Sequence, residues 1–231
     1  MPTPRAPKPR DPAKTRARIL KVAIAEFSAK GYSGARTEQI ARRAHSNIRM
    51  LYHYFGGKDA LYMCVLEEVL SQLRREELRL DFDNTEPLDG VLQMADFIDA
   101  HFAARPELRG LLAFENLNRA QHLKRSVKIR EMASPVIALL DKLLRRGADA
   151  GMFRPDVDAL HLYVAMVSLA YYSRAHVHTL SRIFEVDLLA PAWQLSHRTQ
   201  TRGMLTSFLR SVEAGAGSRS FGGTNVSFVE D

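Results

Sequence analysis

The chain of 231 residues has one cysteine and one tryptophan. The single thiol, Cys64, excludes an intramolecular disulfide framework and suits a reducing compartment. With no resolving partner in the chain, it reads as a buried inert thiol near the start of a helix rather than a redox switch. Long hydrophobic runs are also missing. The stretch LYVAMVSLAYY is about half of the ~20 residues that a membrane span needs. The opening MPTPRAPKPRDPAKTR has charge and proline but none of the apolar length of a secretory signal. These absences predict a cytoplasmic protein with no membrane partner. There is no G-x-S-x-G, no phosphate loop and no H-E-x-x-H, so nothing points to catalysis and no cofactor is expected. No metal site is expected either. His176 and His178 would project about 200° apart on a helix, and His161 and His197 have no partner at ligand spacing. Alternating strand patterns with hairpin turns are absent as well.

What the chain does have is a lopsided charge. Hydrophobic content of 46% and charged content of 26% are ordinary for a globular protein with a sizeable core. The net charge is +7, yet residues 1–58 hold thirteen Lys or Arg against three acids, a net of +10, leaving −3 for the other 173 residues. Excess cation confined to the first quarter of a chain suits a phosphate-backbone partner, although a solvated basic face would read the same way.

Helical periodicity runs through the sequence, and the spacing predicts an all-α chain of about nine helices. Residues 1–10, with four prolines and no aliphatic side chain larger than alanine, read as a flexible basic arm. Asp11 and Pro12 open a first helix that Gly31 stops. Thr37 is the expected N-cap of a second helix, and His45-Ser46-Asn47 forms a turn. A third helix spans about 47–54, with Leu51 and Phe55 inward, until Gly56-Gly57 breaks it. A long fourth helix covers about 58–80. Further helices are expected from Pro87, from Pro106 to about Met132, from a Ser134-Pro135 cap to about Ala150, over 157–180 behind an Asp156 cap, and over 191–213. Residues 214–231 are Gly/Ser-rich and read as a disordered tail. The domains expected are a helix-turn-helix unit over 11–58 and a ligand-binding and dimerisation bundle over 59–213.

The order of a helix, Gly31-Tyr32, a Thr37-capped helix, a turn and then LYHYF-GGK-x-x-LY resembles the DNA-binding domain of TetR-family transcriptional regulators. Matching residues include Ile19, Leu20, Ala23, Phe27, Ile40, Ala41, Ala44, Leu51, Tyr52, Tyr54, Phe55, Lys58, Leu61 and Tyr62, about fifty residues in order. The turn departs from the family's frequent A-G-V-S: His45 stands at a position where glycine is common, and Arg49 replaces a frequent small residue. The N-terminal residues of a helix lying in the major groove reach base edges, which nominates Asn47, Ile48, Arg49, Met50 and His53 as base readers. The resemblance implies that Thr37, Tyr52, Tyr54 and Lys58 hold phosphates. Arg36, Arg42 and Arg43 are secondary phosphate candidates. Tyr54 stays open between a phosphate contact and a core aromatic. GMFRPDVDALHLYVAMVSLAYYSRAHVHTLSRIF, 151–184, is similar to a subgroup of the family and implies a dimerisation helix.

Phe97, His101, Phe102, Phe114, Tyr163, Met166, Tyr171 and Arg174 could line an effector cavity in the second unit, or could simply be core. Of these, His101 and Arg174 are the telling ones, because polar groups inside an apolar bundle need partners. The resulting expectation is a homodimeric, effector-responsive regulator, a repressor rather than an activator. It would bind a palindromic duplex operator with half-sites about a helical turn or slightly more apart, and dimerise through the helices at about 157–180 and 191–213. The competing readings are an all-α metabolite-binding protein or enzyme with an incidental basic N-terminus, and an activator of the same family.

Overall fold

The structure is a computed structural model that describes residues 11–210; the expected arm (1–10) and tail (214–231) lie outside the described residues. The described residues form ten α-helices and one 3₁₀ turn, without a strand beyond an isolated Phe153–Arg210 bridge. In order these are α1 (Pro12–Gly34), α2 (Thr37–Arg43), α3 (Ile48–Phe55), α4 (Lys58–Glu77), α5 (Pro87–Ala104), α6 (Pro106–Leu117), the turn η1 (Leu123–Arg125), α7 (Val127–Asp149), α8 (Ala159–Ala175), α9 (Val177–Phe184) and α10 (Pro191–Leu209).

Two hydrophobic cores organise them. The first, here the head, gathers Ile19, Ala23 and Phe27 of α1, Ile40 and Ala41 of α2, Leu51 and Phe55 of α3, and Leu61, Tyr62, Val65 and Leu66 of α4. The second, the body, gathers Val91, Met94, Ile98 and Phe102 of α5 with Val136, Leu140, Leu143 and Leu144 of α7, and is closed by α8 and α10. Helix α4 belongs to both, giving Leu73 to the body, and Val69 packs against each core. α2 and α3 have seven and eight residues, too short to persist alone; packing of their apolar faces holds them.

Asp11 caps α1 as expected, its carboxylate accepting from the Ala13 and Lys14 amides. Gly31 interrupts α1 at φ 66°. A side chain there would be strained, and its Cβ would lie 2.7 Å from the Phe114 ring of α6. At Gly110 a Cβ would lie 2.3 Å from the Ser28 carbonyl oxygen, so glycine sets how closely α6 approaches α1.

Several expected boundaries move. Thr37 is the first helical residue of α2 rather than its cap; Arg36 flanks the helix and its carbonyl accepts from the Ile40 amide at 3.1 Å. The segment expected from Pro106 to Met132 breaks after Leu117, because Arg119 and Ala120 turn left-handed and the Glu115 carboxylate draws in the amides of His122 and Leu123 at 3.3 and 3.2 Å. α7 begins at Val127 with Ser126 as its cap, leaving Pro135 inside the helix rather than at its start. The buried Val136, Leu140, Leu143 and Leu144 hold α7 together across the missing proline N–H. Asp158, not Asp156, caps α8 by accepting the His161 amide at 2.7 Å, while Asp156 pairs with Arg154. The helix expected over 157–180 is two, α8 and α9, divided at His176.

Candidate nucleic-acid interface

The helix-turn-helix is built from the turn outward. His45 occupies the left-handed region at φ 47°, the conformation usually left to glycine. Arg18 of α1 supports it: its Nε donates to the Ala44 carbonyl at 2.5 Å and its Nη2 to the His45 carbonyl at 3.4 Å. A guanidinium thus sits at the C-terminus of α2, where the helix leaves carbonyls unpaired and the dipole favours a cation. Asn47 then caps α3, its Oδ1 accepting the Met50 amide at 2.9 Å, and Gly56 ends α3 at φ 81°.

α3 buries Leu51 and Phe55 and turns most of the rest outward. Asn47, Arg49, Tyr52 and His53 are exposed, and Ile48 and Met50 half-buried. Arg49 has no acceptor among the described residues, so its fork of donors is free for an external partner. The Tyr52 hydroxyl lies 3.4 Å from Thr37 Oγ1, which brings two of the expected phosphate residues together at the join of α2 and α3. Tyr54 is half-buried, packs on the head core and meets His53 edge-on. Lys58 opens α4 with its Nζ 4.9 Å from the centre of the Tyr32 ring. Arg36 and Arg42 are exposed and share an open cleft with Lys30. Arg43 is drawn elsewhere: it donates to Glu26 at 2.8 Å. Glu26 is 1% exposed and also receives Lys30 at 2.6 Å, so Arg43 satisfies a buried carboxylate between α1 and α2 rather than standing free for phosphate.

Behind this face lies a clasp from the body. Glu115 of α6 is buried and accepts from four donors: the Tyr62 hydroxyl at 3.0 Å, the His122 ring at 2.9 Å, and the amides of His122 and Leu123. Burial first, and the neighbouring Glu115 charge second, push the Tyr62 phenol well above its usual range. The rings of Tyr32, Tyr62 and His122 meet mutually with centroids 4.5 to 5.3 Å apart. Arg125 of η1 grips Asp59 in the first turn of α4 through two bonds of 3.0 and 2.6 Å, and this contact holds the Asp59 carboxyl below its ordinary value. Sequence reasoning passed over Glu115, His122, Arg125 and the turn-bracing role of Arg18. A lone glutamate in an apolar stretch (LLAFENL) was the available signal for Glu115.

The eight residues expected around an effector cavity are not gathered in one place. Phe114 packs against Gly31 at the head–body join. Tyr163 donates to the buried Glu77 at 2.7 Å and receives Arg74 at 2.5 Å. Arg174 binds Asp99 at 2.7 Å, and the Phe102 and Tyr171 rings pack together. Met166 lines a small gap between α5, α8 and α10. His101, with Phe97 against its ring, lines a separate cleft beside α1 and α4. Apart from His101, whose Nε2 has no partner among the described residues, the polar members are paired and the apolar ones pack, which is how core residues behave.

No helix among the described residues is long and apolar enough to cross a membrane. Residues 19–63 match the family described as bacterial regulatory proteins of the tetR family, and residues 87–205 match the tetracyclin repressor-like C-terminal domain. The transcriptional repressor NicS of Pseudomonas putida is 35% identical over 175 residues, covering 76% of this chain and 82% of that one. The transcriptional repressor SCO4008 of Streptomyces coelicolor is 33% identical over 168 residues, covering 70% and 80%. Among solved structures, SCO4942 of Streptomyces coelicolor superposes with a TM-score of 0.64 at 25% identity, covering 82% of this chain and 97% of that one. These relatives are regulators rather than enzymes, and the chain belongs to the TetR family of DNA-binding transcriptional regulators.

Proposed function

We propose that the protein is a cytoplasmic, homodimeric, effector-responsive repressor that inserts α3 of each protomer into successive major grooves of a palindromic operator. The observation that carries this reading is the division of α3: it anchors through Leu51 and Phe55 and leaves Asn47, Arg49, Tyr52 and His53 exposed beside Thr37. In this reading Asn47, Ile48, Arg49, Met50 and His53 face the bases, with Arg49 able to pair bidentately with guanine. Thr37, Tyr52, Tyr54, Lys58, Arg36 and Arg42 hold phosphates and set the register. Residues 11–58 form the DNA-binding unit and 59–213 the effector and dimerisation unit, with α4 carrying movement between them. Repression rather than activation is supported by the names of the two relatives above.

Dimerisation is supported by the faces of α8 and α10. Leu160, Val164 and Tyr172 of α8, and Leu195, Met204 and Phe208 of α10, are all exposed large apolar side chains. Large apolar side chains left exposed on both helices suit burial against a second copy. The test of the whole reading is a gel-shift titration on the gene's own upstream region at two salt concentrations. Affinity should fall steeply with salt, because several phosphates are neutralised per protomer. Salt-independent behaviour, or no retardation in dilute buffer, would refute it.

A further inference from the structure

A cleft of about 330 Å³ opens between the head and the body. Ile24 of α1, Val69 of α4 and Leu108 of α6 supply apolar wall, and His101, Arg105 and Glu107 supply polar groups. The volume lies at the lower end of the ~300–1,000 Å³ typical of small-molecule sites. An occupant would touch α1 and α4 at once, the two helices that carry the head.

His101 gives the cleft its chemistry. Its side chain is 3% exposed, and its Nδ1 lies 3.2 Å from Glu76 Oε2. The Glu76 carboxylate also receives Gln72 at 3.1 Å and Arg105 at 3.4 Å. A carboxylate only accepts, so the imidazole proton sits on Nδ1. Burial holds the ring below its ordinary pKa, against the pull of Glu76, which keeps it neutral near pH 7. Nε2 is then a bare acceptor, and no group among the described residues bonds to it. The ring lines the open cleft, so this nitrogen is available to a donor that enters it. Arg105 and Glu107 on the wall carry opposite charges, so the lining favours neither an anion nor a cation.

We propose that this cleft is the effector site, and that it takes a small uncharged organic molecule with an apolar body and one hydroxyl or N–H that donates to His101 Nε2. The proposal rests on the effector-responsive reading above. Its occupant bears on Ile24 and Val69 together, so filling the cleft alters how α1 sits on α4 and thereby the setting of α3.

The test uses the full chain as a dimer, labelled with ¹⁵N-histidine, and three probes: indole, N-methylindole of nearly the same shape without a donor, and indole-3-carboxylate. Indole should shift the His101 Nε2 resonance, bind about tenfold or more tightly than either analogue, and lower operator affinity. His101→Phe should cost about the same factor. Ala104→Trp, at an exposed position on the cleft wall, should block binding and leave unliganded operator affinity intact. An unshifted His101 resonance at millimolar indole, equal binding of N-methylindole, or binding that survives Ala104→Trp would overturn the site. Saturation with indole at unchanged operator affinity would overturn its role as effector site. Unliganded wild-type protein that ignores upstream DNA would instead overturn the regulator reading, with the histidine titration still reporting on the cleft.

Discussion

The Tyr62 hydroxyl donates to Glu115 Oε1 across 3.0 Å and so ties α4, which carries the head, to α6 of the body. The two residues lie 53 apart in sequence, and both are buried. Removing the carboxylate by Glu115→Ala strands the tyrosine hydroxyl, the His122 ring and two backbone amides at once. We expect a loss of about 3 kcal/mol in unfolding free energy, against about 1 kcal/mol for Tyr62→Phe, which removes a single donor. Urea denaturation monitored by circular dichroism measures both. Equal effects would mean that the His122 ring and the backbone amides contribute nothing to the clasp.

Arg49 and Lys58 should part company in DNA binding. Arg49 is exposed on α3 with its guanidinium free, while Lys58 opens α4 over the Tyr32 ring. Arg49→Ala should cost about 1–3 kcal/mol at particular operator bases and relax preference there. Lys58→Ala should weaken binding alike on every sequence and flatten the salt slope by about one unit. Competition gel shifts with single-base operator variants, repeated at two salt concentrations, separate the two behaviours. Identical profiles would end the division between reading and positioning.

The parts of the fold that sequence made legible are those set by local chemistry. Asp11 with Pro12 opens α1, Pro191 opens α10 and Asn47 caps α3, because each answers to groups within three residues. Proline misleads at Ser134-Pro135, since a proline that starts a helix and one carried through a helix by packing look alike in one dimension. Asp156 and Asp158 are equally good caps on paper; the ion pair with Arg154 decides which is free. The exposed face of α3 follows from the period of Leu51 and Phe55. Arg43 could not be sorted from Arg42 in advance, because the buried Glu26 that claims it is 17 residues away. The residues expected around an effector cavity were the least legible: aromatic and methionine side chains at helical spacing pack as core, and among them His101 keeps a ring nitrogen without a partner among the described residues.

Arg18 is expected to act through geometry alone. Its bond to the Ala44 carbonyl steadies the left-handed His45 turn without reaching α3 itself. Arg18→Ala should lower affinity for every operator variant by a similar factor and cost about 1 kcal/mol of stability. Base preference should stay as in the wild type. A changed preference, measured on the same operator panel as Arg49→Ala, would show that Arg18 touches DNA bases instead.

Stability should depend on pH through His101. Burial lowers its pKa in the folded protein, so as pH falls the unfolded chain takes up a proton first. The contribution to stability is therefore present above the unfolded value of about 6.5 and is lost as pH drops below it. The denaturation midpoint should fall between pH 7.5 and pH 5.5, and His101→Gln should reduce that fall. An unchanged slope in the variant would place the pH response in other groups.

The dimer face proposed on α8 and α10 offers the sharpest break between folding and function. Leu160 and Val164 are 55% and 54% exposed on α8, one turn apart, and neither belongs to the body core. Charged replacements there leave the protomer's packing untouched while placing charge in the middle of an apolar interface, where an unpaired charge is costly to bury. Leu160→Glu with Val164→Asp should therefore keep the wild-type helical content and unfolding cooperativity measured at concentrations where the wild type is dissociated. In sedimentation the double variant should run as a monomer at concentrations where the wild type is a dimer. On DNA it should lose the advantage of a full palindrome over a half-site, since a tethered second head raises the local concentration of its partner and a free one does not. A variant that stays dimeric would move the interface off α8 and onto some other surface, and the symmetric placement of two α3 helices would have to be rebuilt from there.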